Sequence, residues 1–168
     1  MTENNLGARS FDDAPPITSN DDITQELNSL LRGEISAAET YRMAIEKAAQ
    51  STSNSAPSVA LLRDIQQEHG RAAQALRDRI RELGGEPSDS SGAWGAWAKF
   101  TTGIANLFGD TVALRTLKEG EEYGLKEYEE ALDEMDVTSA ELIENQLIPA
   151  QQRHIQTLDQ LIQSVKAV

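Results

Sequence analysis

Residues 33–41 read GEISAAETY, and residues 120–128, which read GEEYGLKEY, repeat their outline. Both copies begin with Gly-Glu and end with Tyr, so each places a tyrosine two helical turns after a glutamate. A Gln-x-x-His sequence follows each copy, at residues 66–69 and again at 151–154, and it contains the only two histidines of the chain. The sequence therefore predicts one pair of helices that is written twice.

The composition favours an all-α protein with a single core. The chain has 168 residues, of which 39% are hydrophobic and only 5% aromatic, and helix-forming Ala, Leu, Glu, Gln and Arg are plentiful. A net charge of −13 argues against nucleic-acid binding, which needs a basic surface. The sequence has no cysteine, no apolar run long enough to span a bilayer and no signal-peptide core. We therefore expect a cytoplasmic protein that has no membrane partner.

Apolar residues at helical spacing predict four long helices. We expect residues 1–20 to form a disordered tail and residues 21–168 to form a four-helix bundle of two helix pairs. A long crossover joins the pairs, and its residues 93–108 are predicted to form an extra short helix. Trp94 and Trp97 lie at helical spacing in that segment, where they favour packing and are our candidates for part of a homodimer interface.

Local signals predict where these helices begin, end and bend. Residues 19–21 supply N-caps for helix 1, and the glycines at 84–85 end helix 2. Helix 4 is expected to begin at 138–139, with a capping box. Pro149 removes a backbone N–H from helix 4, so we expect a kink or bulge one turn before His154.

Four ionisable residues interrupt the apolar stripes, one in each helix. A buried carboxylate needs a partner, and glutamate and histidine together offer the oxygen and nitrogen ligands that suit iron, manganese or zinc. A glutamine lies one turn before each histidine on the same face. The predicted metal-site residues are Glu34, His69, Glu121, His154, Gln66 and Gln151. The alternatives are core histidines satisfied by hydrogen bonds and buried glutamates paired with His or Tyr.

Tyrosines and glycines near the two glutamates leave further alternatives. Tyr41 and Tyr128 either donate a hydrogen bond to a ligand on an opposing helix or direct their hydroxyls into solvent. Gly120 and Gly124 cost about 1 kcal/mol each relative to alanine inside a helix. They indicate either the close approach of a neighbouring helix or loose packing at this level.

The doubled pattern resembles the ferritin-like superfamily, which includes ferritins, bacterioferritins and rubrerythrins. In that superfamily each half of the bundle gives a Glu, often with a Tyr seven residues on, and a Glu-x-x-His. The residues that match are Glu34, Tyr41, His69, Glu121, Tyr128 and His154. Over roughly residues 23–165, the phrases LNSLLRGEISAAETY, SSGAWGAWAKF and LKEGEEYGLKEY are similar to a bacterial family of ferritin-like four-helix bundles classified as a domain of unknown function.

The sequence departs from that pattern where a di-iron site would place two further glutamates, because Gln66 and Gln151 are neutral. Two divalent ions would bring +4 against −2 from the two remaining glutamates, and Glu68 and Glu122 are predicted to lie off the inner face. One ion, or a metal-free hydrogen-bonded cluster, fits this charge better than a complete di-iron centre.

Two functions follow from these observations. The first is a ferritin-like protein that binds one or two transition-metal ions, with a redox or stress-related role that only the resemblance implies. The second is a non-catalytic, metal-free bundle that acts as a structural or interaction protein.

Overall fold

The structure, a computed structural model, describes residues 19–50, 56–92 and 111–166. Four helical segments make up this part of the chain, which contains no strand, and the all-α prediction is confirmed. The segments are α1 (Asn20–Gln50), α2 (Ala56–Glu82), α3 (Thr111–Ala131), and a fourth formed by α4 (Val137–Leu142), a π-helical turn (Ile143–Leu147) and α5 (Ile148–Lys166). Within the described ranges, no helix is both long enough and apolar enough to cross a membrane.

The helices pack as two pairs, α1 with α2 and α3 with α5. Their apolar stripes form two separate clusters at opposite ends of the bundle. The lower core joins the end of α1 to the starts of α2 and α3 and the end of α5, and its largest members are Tyr41, Leu62, Leu117 and Leu158. The upper core joins the start of α1 to the ends of α2 and α3 and to the π-helical turn, with Leu27, Leu76, Ile80 and Ile143.

The position of the two cores fixes the direction of each helix. The helices of each pair are antiparallel, and α3 runs parallel to α2, so α2 ends at the upper end and α3 begins at the lower end. This confirms the long crossover. Its first part lies along α1, where Asn28 Nδ2 donates to the Glu86 carbonyl at 3.1 Å and Ser91 Oγ donates to Glu39 Oε2 at 3.1 Å.

The helix ends follow local chemistry. Ser19 caps α1, since its hydroxyl accepts a hydrogen bond from the Asp22 amide at 3.2 Å. Gly84 ends α2 with φ at 83°, as predicted for a glycine stop. The predicted tail, apart from its last two residues, and the predicted tryptophan helix with Trp94 and Trp97 lie outside the described residues.

The predicted start of the fourth helix was wrong. The helix begins at Val137, because the Asp136 carboxylate caps it by accepting a hydrogen bond from the Ser139 amide at 2.8 Å. Asp136 also receives two hydrogen bonds from Arg79 on α2, at 2.7 and 2.9 Å. The cap is therefore also the link between the two helix pairs at the upper end.

A bulge in the fourth helix is confirmed, but it lies at residues 143–147 and ends about two turns before His154 rather than one turn before it. Pro149 has no N–H with which to continue the α-helical bonding, and the preceding residues 143–147 form a π-helical turn. A π turn adds one residue to the helical repeat, so it changes the face that α5 presents to the bundle. This face carries Gln151 and His154.

Candidate metal centre

A layer of buried polar side chains separates the lower core from the upper core. We call it the polar layer, and its members are Glu34, Tyr41, His69, Glu121, Tyr128, Gln151 and His154. Every helix pair contributes to it, and all of these residues are at most 6% exposed. The predicted inner positions of both glutamates and both histidines are therefore confirmed as buried positions.

Glu121 is the acceptor at the centre of the polar layer. Its Oε1 accepts a hydrogen bond from the Tyr41 hydroxyl at 2.5 Å and contacts His69 Nε2 at 3.1 Å. Its Oε2 accepts from Gln151 Nε2 at 2.7 Å and contacts His154 Nδ1 at 3.2 Å. Burial alone would raise the pKa of Glu121, but the charge of His69 and the hydrogen bonds of both histidines lower it to about 2.

His69 lies between two carboxylates. Its Nδ1 is 2.9 Å from Glu34 Oε2, and its Nε2 is 3.1 Å from Glu121 Oε1. Burial lowers the pKa of an imidazole, but the charges and hydrogen bonds of Glu121 and Glu34 outweigh this effect and raise the pKa of His69 to about 10. In the metal-free protein His69 is therefore an imidazolium at neutral pH and donates both ring protons.

Each of the two tyrosines donates a hydrogen bond to the glutamate of the other half of the repeat. Tyr41 on α1 donates to Glu121 on α3, and Tyr128 on α3 donates to Glu34 on α1 at 2.5 Å. Burial and the nearby carboxylate raise both phenol pKa values well above the usual 10, so both hydroxyls stay protonated. The hydrogen bond to an opposing helix is confirmed, and the alternative of a hydroxyl in solvent was wrong.

His154 joins the polar layer to the surface. Its Nδ1 faces Glu121, and its Nε2 is 3.2 Å from Oε2 of Glu68, which also accepts from Arg153 at 3.0 Å. The Glu68 side chain is 30% exposed, which agrees with the prediction that it lies off the inner face, but its carboxylate still reaches a buried histidine. A signal for this was available, because Glu68 lies one turn after the buried Ile65.

The two glutamines of the repeat have different surroundings. Gln151 is buried and donates to both the side chain and the carbonyl of Glu121. Gln66 is half-buried in a surface groove between α1 and α2 and is not part of the polar layer. One difference between the two halves lies three residues after the glutamate. A Cβ on Gly124 would lie 2.8 Å from Gln151 Nε2, whereas the equivalent residue of the first half is Ala37.

A small cavity adjoins the polar layer between α1 and α3. It has a volume of about 30 Å³, which is room for one or two water molecules. Glu34, His69 and Gln151 border it, and Gly33, Gly120 and Gly124 line it where longer side chains would fill the space. Both alternatives predicted for Gly120 and Gly124 occur. The packing is loose at this level, where the cavity lies, and a neighbouring helix approaches closely through the side chain of Gln151.

The chemistry of the polar layer fits a metal ion. His69, Glu121 and His154 each present a ligand atom within 4.8 Å of the other two, and tetrahedral ligands with bonds of 2.0–2.1 Å lie about 3.3 Å apart. The other ring nitrogen of each histidine faces a carboxylate, as in most metal-bound histidines. These three residues could therefore hold an ion. The layer is also complete without one, since every buried side-chain N or O atom in the described residues has a hydrogen-bond partner.

Comparison with known proteins gives a family for most of this structure. Residues 22–134 match the family described as a domain of unknown function (DUF2383). The match includes α1, α2 and α3 with Glu34, His69 and Glu121, and it ends before Gln151 and His154. No curated protein and no solved structure matches the chain. Because the match covers well over half of its residues, the chain belongs to the DUF2383 family.

Proposed function

We propose that this protein is a ferritin-like bundle that binds one transition-metal ion through His69 Nε2, His154 Nδ1 and the Glu121 carboxylate. The observation that carries the proposal is the approach of both histidines to one buried carboxylate, at 3.1 and 3.2 Å. These two separations are already close to those between ligands that share one ion, and the two histidines offer ring nitrogens within 4.8 Å of each other.

The surrounding side chains support this ligand set. Glu34 and Glu68 face the far ring nitrogens of the two histidines, which fixes the ring orientation and leaves the near nitrogens for the ion. Tyr41 and Gln151 each donate to one Glu121 oxygen, and a carboxylate oxygen has a second lone pair. In the metal-free layer the histidines use those lone pairs, and an ion would take the place of their protons.

Charge also favours a single ion. A divalent ion that replaces the extra proton of His69 raises the positive charge of the layer from +1 to +2. Glu34, Glu68 and Glu121 together carry −3, which is enough to balance one divalent ion but not the +4 of two. Two imidazoles and a carboxylate suit iron, manganese or zinc. Bound iron or manganese would supply a one-electron redox change, and a redox or stress-related role requires one of these two metals. The apolar cores would lie on either side of the ion, and the small cavity beside it has room for one or two water molecules.

The ferritin-like assignment is supported by the two antiparallel helix pairs, by the end of α2 and the start of α3 at opposite ends of the bundle, and by the repeat of Glu, Tyr and His at equivalent places. The neutral Gln151 at the position of an expected glutamate supports a centre with one ion rather than two. A cytoplasmic location and a homodimer remain predictions.

The test is a metal titration of protein first stripped with a chelator. Zn²⁺, Mn²⁺ and, without oxygen, Fe²⁺ are counted by native mass spectrometry and calorimetry, and we expect one ion per chain. A His69→Ala/His154→Ala variant and Glu121→Gln should lose it. Glu122→Gln is the matched control, because it removes the same charge from the next residue, whose side chain is 53% exposed. A folded parent that takes up no stoichiometric ion would sink the proposal.

A second function is favoured by the hydrogen bonding of the metal-free layer. Because His69 as an imidazolium satisfies two carboxylates without an ion, the layer could serve only to fix the register of the four helices in a structural or interaction protein. The same titration separates the two functions. In this case no ion binds, yet the histidine variants still lose thermal stability.

A further inference from the structure

We propose that Gln151 limits the centre to a single ion. This inference rests on the proposed function, and it concerns how many ions the same polar layer accepts. Gln151 is a positioning residue that acts through Glu121. Its amide donates a hydrogen bond to the Glu121 carboxylate at the position that a second cation would otherwise occupy.

The hydrogen bonds of Gln151 show how it does this. Its Nε2 donates to Glu121 Oε2 at 2.7 Å and to the Glu121 carbonyl at 3.0 Å. The amide thereby supplies positive character at Oε2 without a charge of its own. A carboxylate in the same place would have no proton to donate, and it would repel Oε2 unless a cation lay between them.

The cavity provides the space for such a cation. It has about 30 Å³ and is bordered by both Glu34 and Gln151. A Gln151→Glu variant would add a carboxylate to this space, which Glu34 and Glu127 also line, and would place it against the Glu121 carboxylate. With Glu68 the layer would then carry −4, which balances two divalent ions. Without the substitution, Glu34, Glu68 and Glu121 together carry −3, and the cavity lining includes no acid from α5.

Gly124 makes the position of Gln151 possible. The amide crosses α3 where a Cβ would lie only 2.8 Å from Nε2. The first half of the repeat has Ala37 at the equivalent place, and there Gln66 stays in the surface groove. The residue that limits the number of ions and the glycine that makes room for it therefore both lie in the second half of the chain.

The experiment compares three glutamine-to-glutamate variants that add the same charge. Gln151→Glu adds it at the cavity, Gln152→Glu adds it at the exposed neighbouring residue, and Gln66→Glu adds it at the position that the repeat makes equivalent. Chelator-stripped proteins are titrated with Mn²⁺. Ions are counted by native mass spectrometry, and electron paramagnetic resonance detects coupling between neighbouring Mn²⁺ ions.

We expect one ion in the parent and in both controls, and two ions with magnetic coupling in Gln151→Glu. One ion in Gln151→Glu overturns the inference and leaves the proposed function intact. Two ions in either control overturn it as well, because added charge alone would then suffice. A parent that binds no ion overturns the proposed function together with the inference.

The metal-free Gln151→Glu variant places two carboxylates side by side and could fail to fold. In that case circular dichroism is followed while Mn²⁺ is added. The inference requires the helix signal to return at two ions per chain. A signal that returns at one ion, or that never returns, overturns it.

Discussion

The substitution Glu121→Gln tests the centre of the polar layer without any metal. Two donors face each oxygen of Glu121, from Tyr41, His69, Gln151 and His154. A glutamine side chain keeps one acceptor oxygen and turns the other position into an NH₂ group. Two of the four donors therefore lose their acceptor and face a donor instead.

The size of the effect follows from burial. The Glu121 side chain is 0% exposed and its four donors are at most 4% exposed, so bulk water does not reach a donor that loses its partner. A buried donor without a partner costs about 1–3 kcal/mol, and removing one partner of a buried ion pair costs about 3–5 kcal/mol. We expect the free energy of unfolding to fall by about 3–5 kcal/mol. At roughly 2–4 °C for each kcal/mol in a protein of this size, Tm falls by roughly 6–20 °C.

The assay is thermal and urea unfolding of chelator-treated protein, followed by far-UV circular dichroism. Glu122→Gln is again the control. It loses only an exposed pair with Lys118 at 3.4 Å, and such surface pairs contribute about 0–1 kcal/mol. Equal losses in the two variants would refute the central role of the Glu121 carboxylate.

Three further predictions concern the same protein without metal. The folded pKa of His69, about 10, lies above its usual 6.5, so its contribution to stability is full below about pH 6.5 and is lost as the pH rises through 10. The folded pKa of Glu121, about 2, lies below its usual 4.5, so its contribution to stability is full above about pH 4.5 and is lost as the pH falls towards 2. The urea midpoint of unfolding should therefore be highest between about pH 4.5 and 6.5, and a midpoint that does not change with pH would contradict this prediction. Gly124→Ala should destabilise by about 1–3 kcal/mol because the Gln151 amide must move, whereas Gly70→Ala, where a Cβ meets nothing within 4 Å, should stabilise by up to about 1 kcal/mol in the same unfolding assay. Asp136→Ala should cost about 2–3 kcal/mol, since a helix cap and charged hydrogen bonds from α2 are lost together, and a Tm within 2 °C of the parent, well short of what about 2 kcal/mol would cause, would contradict it.

Most of the fold could be predicted from the sequence because its determinants are local. Helical spacing of apolar residues, the glycines after α2 and Pro149 in the fourth helix act within a few residues of themselves. The inner positions of His69 and Glu121 were predictable for the same reason, since each interrupts an apolar stripe. The start of the fourth helix was missed because Asp136 serves two partners at once, and one of them lies on another helix.

The candidate site was only partly predictable, because contacts between helices depend on how each helix is rotated about its axis. The repeat makes Gln66 and Gln151 equivalent, but Gly124 leaves room for the Gln151 amide, and the π-helical turn in the fourth helix, absent from α2, changes the face that carries it. Glu68 was missed since a periodic stripe is drawn along one helix, whereas its contact is to His154 on α5.

The crossed tyrosines have a consequence for how the molecule folds. Each helix pair contains a glutamate whose phenol partner belongs to the other pair, so neither pair can satisfy its own interior. A fragment that ends before α3 would hold Glu34 without Tyr128 and would hold Tyr41 without Glu121. The smallest cooperative unit is therefore the whole set of four helices, and the repeated halves are interdependent parts rather than two miniature domains.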